Sequence, residues 1–248
     1  MKTRMLLAVL AAALLAGTVH AQEVTGSVEI AGRGASTDDS PNLAAEYRET
    51  DSGAEVRAAI QASFDNLFLD LAADVRSTDD QTTKLTFDVD RMVRSHTTFT
   101  RTPHRLTHDS LENLRGSIAE VKVTWSTDLD PQAEYGIRFS ELANRTDIQV
   151  PALPWLVVST EFREQWREGH KQSLSGSHCS TCHVQSQGRE GDEHMREAGL
   201  QARATFGSWS VAAKAASRDF RERGATPTRV FELIEHPAQR TPLFRDRM

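Results

Sequence analysis

The sequence predicts a mainly β protein: an antiparallel sheet, curled into a partial β-barrel, followed by a segment of different character. Three observations lead there. Apolar and polar residues alternate with a period of two from Val24 to about Val93. Several of these runs are about nine or ten residues long, the length of a barrel strand that crosses a membrane. Short clusters of Asp, Asn, Ser, Gly and Pro separate the runs, as turns do.

The first strand is marked by Val28 and Ile30 alternating with Ser27, Glu29 and Ala31. The second carries Val56, Ala58, Ile60, Ala62 and Phe64 on one face. The third carries Leu67, Leu69, Leu71, Ala73 and Val75, against Asp70 and Asp74 on the other face. The fourth shows Leu85, Phe87 and Val89 against Asp88 and Asp90. Asp65-Asn66 between two such runs predicts a tight hairpin, and Asp51-Ser52-Gly53 and Ser77–Gln81 predict further turns. Val121, Val123 and Trp125, then Tyr135, Ile137 and Phe139, continue the pattern, and Trp155–Trp166 reads as another extended run. Leu111, Leu114 and Ile118 share one helical face, so His108–Ile118 is expected to be helical. Asp192-Glu193 is a candidate start for a helix through Ala204, although Leu200, Ala202, Ala204 and Phe206 also alternate. Trp209–Arg223 fits a helix or a strand. Thr226-Pro227 is a good helix start, which predicts a helix over Arg229–Glu235 that Pro237 stops. Arg101-Thr102-Pro103 is echoed by Arg240-Thr241-Pro242, which reads as a repeated barrel turn.

Composition narrows the function. The 248 residues carry a formal net charge of −6, which argues against a nucleic-acid partner. After the first residues no apolar run is long enough for a transmembrane helix, so any crossing would be made by strands. Aromatic residues are 6% of the chain, a thin supply for the girdles of a membrane barrel. A soluble sheet packed on one face is therefore the competing reading.

Both cysteines of the chain lie in Cys179-Ser180-Thr181-Cys182-His183. This is C-x-x-C-H, the attachment signature of c-type haem. Two thiols at this spacing can each add to one vinyl group of the same porphyrin, and the adjacent His183 imidazole is then the proximal iron ligand. A thioredoxin-like site would need a βαβ setting, and a zinc site would need a fourth ligand. The sequence therefore predicts one covalent haem c, held by Cys179, Cys182 and His183, in a loop or short-helix segment.

Export fits this chemistry. Lys2 and Arg4 precede an apolar run from Met5 to Leu15, and Val19-His20-Ala21 has the form of a cleavage site. Residues 1–21 are expected to be a signal peptide, 22–165 the barrel-like sheet, and 166–248 the haem-binding segment with further strands or helices. The outer membrane is the favoured destination and the periplasm the alternative.

The alternating strands over roughly residues 24–150, with their Arg-Thr-Pro echoes, resemble the outer-membrane barrel partners of multihaem cytochromes in porin–cytochrome conduits. Residues 178–223 look like monohaem members of barrel-type electron-transfer proteins. The barrels of that family are much longer than this chain. The resemblance implies redox partner proteins, multihaem cytochromes among them, and contact with outer-membrane lipid.

A second axial ligand would be His or Met. His170, His194 and Met195 are the candidates, with His178 and His236 behind them; His194 and Met195 lie 11 and 12 residues beyond His183, close enough in sequence to fold back towards the iron. His96, His104 and His108 read as surface histidines. Asp70, Asp74, Asp88 and Asp90 read as the wet face of strands. The functional expectation is electron transfer and not enzymatic turnover. Two alternatives stay open: a peroxidase-like haem enzyme with an open axial position, and a structural barrel subunit of an electron conduit.

Overall fold

A computed structural model describes residues 23–34, 36, 46–49, 51–112, 125–176, 183–224, 229–235 and 242–247. The period-two runs are strands. They are β1 (Glu23–Arg33), β2 (Gly53–Ser63), β3 (Leu67–Val75), β4 (Gln81–Val89), β5 (Val93–Leu106), β6 (Trp125–Asp128), β7 (Tyr135–Gln149), β8 (Leu156–Gly176), β9 (His183–Phe206), β10 (Trp209–Glu222), β11 (Arg229–Glu235) and β12 (Pro242–Arg247). Ten of them form one sheet, in the order β1, β2, β3, β4, β5, β7, β8, β9, β10, with β6 added beside β9. Every pairing along that path is antiparallel, and β6 alone runs parallel to its neighbour. β11 and β12 form a separate pair. Among the described residues the main sheet does not close into a barrel, and β1 and β10 are its edges.

Several expectations need correction. Arg229–Glu235 is strand β11, and 192–204 lies inside β9. Val230, Phe231 and Ile234 are compatible with either period, so the Thr-Pro start signal was the only argument for a helix there. Arg101–Pro103 lies within β5 and is not a turn. The expected boundary at 165 falls inside β8, and β9 and β10 carry the same sheet on to Glu222. Of the helix expected over His108–Ile118, only the first five residues are described, and they contain no α-helix. The candidate signal peptide lies outside the described residues.

The register sorts the side chains into two faces, because successive residues of a strand point to opposite sides. One face is apolar over β1–β4 and over the lower parts of β8–β10, and between them it carries a hydrogen-bonded cluster of Ser95, Thr97, Asn144 and Thr146. Val28 stands beside Ala58, Ile60 beside Leu71, and Leu71 beside Leu85. Phe99 stands beside Leu142, Ile148 beside Val158, Thr160 beside Leu200, and Leu200 beside Ala215. These positions form a band. It runs over the 9 residues of β3 and over matching stretches such as Ala54–Ala62, Ala198–Phe206 and Trp209–Ser217. Nothing among the described residues covers it. Among the described residues of the band only Ala58 and Leu71 are buried hydrophobic side chains, while Val28, Ile30, Leu200, Phe206, Trp209 and Val211 are more than half exposed. Aromatic rings collect at one rim, where Trp155 packs on Phe206 with centroids 5.0 Å apart, beside Trp209.

The other face is a lattice of charge pairs. Glu161 accepts from Arg145 (2.6 Å) and Lys214 (2.5 Å), linking β7, β8 and β10. Glu141 accepts from Arg163 (2.7 Å) and Gln165 (2.5 Å). Arg94 holds Asp88 (2.8 Å), and Arg57 lies between Glu29, Glu55 and Asp74. Of the expected wet face, Asp74 and Asp88 are paired with Arg57 and Arg94 of neighbouring strands and Asp70 stands on the same face of β3, whereas Asp90 lies in the turn after β4 and not on a strand.

The two ends of the sheet also differ. At the aromatic rim the strands are joined by residues 64–66, 90–92, 150–155 and 207–208, the first closed by a Phe64 N–H to Leu67 C=O bond of 2.8 Å. At the opposite end the joins are 34–52, 76–80, 107–134 and 177–182. Only there do strands outrun the band. Above Phe162 and below Ala198 the apolar face turns polar, with Glu164, Trp166, Glu168 and His170 on β8 opposite Arg196, His194, Asp192 and Glu190 on β9.

Candidate functional site at the end of the long hairpin

β8 and β9, 21 and 24 residues long, form the longest hairpin of the fold, paired without interruption from Leu156–Ala204 to Gly176–Val184. The thirteen residues from Glu164 to Gly176 carry it about 40 Å further along the strand beyond the apolar band, at about 3.3 Å per residue. At Gly169 the backbone has φ +152°, and a Cβ there would stand 2.1 Å from the Gly136 carbonyl oxygen, so only glycine fits that crossing of β7. Cys179 and Cys182 fall in the 177–182 link and lie outside the described residues. His183 opens β9, its backbone beside Trp125 of β6.

The root of this hairpin end is the best-buried part of the fold. Leu111 and Ser186 are fully buried, and Tyr135 and Gln185 nearly so. The chain between β5 and β7 supplies the cover. The Leu129 N–H donates to the Ser186 carbonyl (3.0 Å), and the Ser186 hydroxyl donates to Asp128 Oδ1 (2.7 Å). The Gly188 N–H donates to Asp130 Oδ2 (2.5 Å), and a Cβ on Gly188 would stand 3.3 Å from that oxygen. Asp109 and Gln172 exchange two hydrogen bonds, of 2.8 and 2.7 Å.

His108 completes this clamp. Its Nε2 lies 2.6 Å from Asp128 Oδ2, its Nδ1 lies 3.0 Å from the Ala133 carbonyl, and its ring meets the edge of Tyr135 at 4.9 Å. Both ring nitrogens face oxygen atoms. Burial pushes the Asp128 carboxyl up, but hydrogen bonds from Ser186, His108 and the Asp130 N–H outweigh it and hold the group below the usual carboxylate range. The expectation that His108 is a plain surface histidine is therefore corrected. His96 and His104 lie on β5, bonded to Thr86 (2.9 Å) and Glu46 (2.8 Å), with Tyr47 stacked on His104. No group of three or more metal-ligating side chains occurs among the described residues.

The candidate axial ligands are dispersed along the hairpin. Because β9 is a continuous strand, His194 and Met195 lie about 36 and 40 Å along it from His183, at the same rise per residue, and do not fold back. His194 is engaged where it stands: Nε2 is 2.7 Å from Glu164 Oε1, the ring stacks on Trp166, and Arg196 donates to the same oxygen at 2.6 Å. Met195 pairs between Gln165 and Phe220 on the other face. His170 is exposed and stands opposite Glu190, about 23 Å along β9 from His183. His178 and His236 lie outside the described residues. The feature that sequence reading missed is the His108–Asp128–Ser186 clamp. Its members are 20 and 58 residues apart, and no spacing rule connects them.

No family model matches this chain, and no curated protein or solved structure matches it.

Proposed function

We propose that the chain is an electron-transfer protein that carries one covalent haem c at the end of the β8–β9 hairpin and stands in the outer membrane as the wall of a β-barrel. The single observation that carries the haem reading is C-x-x-C-H, with both of the chain's cysteines inside it, after an export-type N-terminus. Cys179 and Cys182 would hold the porphyrin and His183 the iron, which supplies one-electron redox chemistry. The clamp of His108, Asp128 and Ser186 fixes the strand that begins with His183.

The membrane reading rests on the uncovered apolar face. Its band of about nine residues matches the height that lipid-facing tilted strands span, with an aromatic rim on the short-turn side. The charge-paired face suits a watery interior. The sheet is open, so the wall is only part of the circumference, and further strands complete it.

The dispersal of His170, His194 and Met195 favours one alternative, a haem whose sixth position is open. The reduced visible spectrum separates the two readings. Sharp six-coordinate bands are expected for the electron carrier, and a high-spin form that binds CO for the open site. His183→Ala is expected to abolish the native spectrum while the thioethers persist. Unchanged bands in that variant would overturn the assignment of the ligand.

A further inference from the structure

We infer that two copies of this chain meet side by side in the membrane, through a hydroxyl and amide cluster on β5 and β7. The inference rests on the membrane reading above and adds a partner to it.

Ser95 and Thr97 of β5 stand beside Thr146 and Asn144 of β7 on the outward face. The Asn144 amide donates to the Ser95 and Thr97 hydroxyls, at 2.9 and 2.8 Å. Thr146 Oγ1 lies 2.9 Å from Ser95 Oγ and 3.2 Å from Asn144 Oδ1. Apolar side chains bound this island on every side. Val93 and Ile148 lie below it and Phe99 and Leu142 above it, with Leu85 beside Thr97 and Phe162 beside Asn144. Leu71, the middle residue of the 9-residue β3, shares one row with Leu85, Thr97 and Asn144. The island is therefore set within the band and not at its rim, where a wall that meets only lipid would be apolar.

Lipid chains offer no hydrogen-bond partner, so polar groups at this depth mark protein contacts. The Asn144 amide spends both N–H groups inside the cluster, but the Thr97 hydroxyl, which accepts one of them, finds no acceptor for its own hydrogen among the described residues. The chemistry of the island selects the occupant. Neither the four cluster residues nor their six apolar neighbours carry a charge, so a partner recognised through opposite charge does not match them. A hydroxyl donates and accepts at once, so the same cluster turned about a two-fold axis supplies each hydroxyl with what it lacks. With that axis along the membrane normal both copies keep one orientation in the bilayer, and two-fold pairing is the commonest symmetry of homo-oligomers. The central side chains are small, which allows close approach, as small and hydroxyl residues do between membrane helices.

The test uses the full-length protein in isolated outer membranes and a short bis-maleimide. Thr97→Cys probes the island, and Val28→Cys and Leu200→Cys probe the band on β1 and β9. Val28 and Leu200 are the more exposed, so random collision would favour them. The unaltered chain, treated alike, sets the background from Cys179 and Cys182. The expected result is a crosslinked product of twice the chain mass from Thr97→Cys, with the two band variants at background. The double variant Thr97→Val and Thr146→Val gives a second readout. Its detergent-corrected mass in sedimentation is expected to fall from two chains to one, with the melting temperature kept. Equal crosslinking at all three positions, or none above background in membrane-bound protein, overturns the inference while leaving the membrane reading intact. A product of any other mass overturns the second copy as occupant. A lower melting temperature with unchanged mass would show that the cluster only ties β5 to β7, and also overturns the inference. Protein recovered without detergent overturns the membrane reading and the inference with it.

Discussion

The lower and upper halves of the β8–β9 hairpin are built on the same backbone ladder and differ in what their outward face carries. Below Phe162 the face is mostly aliphatic and aromatic, and above it Glu, Arg, His and Asp predominate, with Trp166 and Leu174 among them. Hydrogen bonding along the ladder is continuous through both halves, so strand formation does not explain the change. What differs is the medium that each half is made to meet. An apolar face with no protein cover needs lipid, and a charged one needs water. The contrast extends to burial. The lower half buries almost no hydrophobic side chain within the chain, whereas the upper half is gripped by Leu111, Asp128 and Tyr135. On the proposed membrane reading, the lower half is stabilised by lipid and the upper half by its own loops.

The largest effect should come from breaking the lower half. Leu200, in the band, and Leu174, above it, are 54% and 55% exposed, so the chain alone does not distinguish them. Arginine on the lipid face costs about 2–4 kcal/mol near the midplane and less near the interfaces. Leu200→Arg is expected to lose about 2 kcal/mol of folding stability in lipid vesicles, whereas Leu174→Arg changes it by less than about 0.5 kcal/mol, as surface substitutions do. Urea titration of vesicle-inserted protein checks this. Equal costs would mean that the two halves meet the same medium.

Next in size is the clamp of the upper half. Asp128→Ala strands the buried Ser186 hydroxyl and the His108 ring, a loss of about 1–3 kcal/mol. Faster amide exchange is expected at 184–188 and 126–130, with the band strands unchanged. Exchange that rises equally in both halves would show that they do not behave as separate units.

The same carboxyl gives a pH dependence. The folded-state pKa of Asp128 lies below its unfolded value, so its contribution is complete above the unfolded value of about 3.9 and is lost as pH falls through the folded one. Protection at 184–188 should therefore hold at neutral pH and fade in acid below about pH 4, while Asp128→Asn, which cannot titrate, shows no acid step from this group.

The smallest effect is expected on the charge-paired face. Arg218 and Glu197 are 63% and 26% exposed, and Arg218→Ala should cost about 0–1 kcal/mol, decreasing with added salt. A loss of several kcal/mol would mean that this face is not bathed in water.

The legibility of the sequence follows the same division. β2 and β3 were readable because Val56–Ala62 and Leu67–Val75 alternate strictly, with Asp65-Asn66 between them as a tight turn. β5 was not, because its outward face is Ser95 and Thr97 between Val93 and Phe99, and its other face is equally rich in threonine. The upper part of β9 was hidden for the same reason: above the band both faces meet water, and the period of two disappears from the hydropathy pattern. The Thr-Pro pair before β11 misled because a helix start signal is local, whereas pairing with β12 is not. At the candidate site, C-x-x-C-H was legible as a contiguous motif. Asp128 and His108 were not, since only the folded loop brings them to Ser186.

The most direct test of the central claim is the intact mass of the protein recovered by detergent from isolated outer membranes. The expected result is a mature chain in that fraction, cleaved after Ala21 and heavier by one haem, with the increment on the peptide that contains Cys179 and Cys182. A chain of unmodified mass, or one found in the soluble periplasmic fraction without detergent, would contradict the claim.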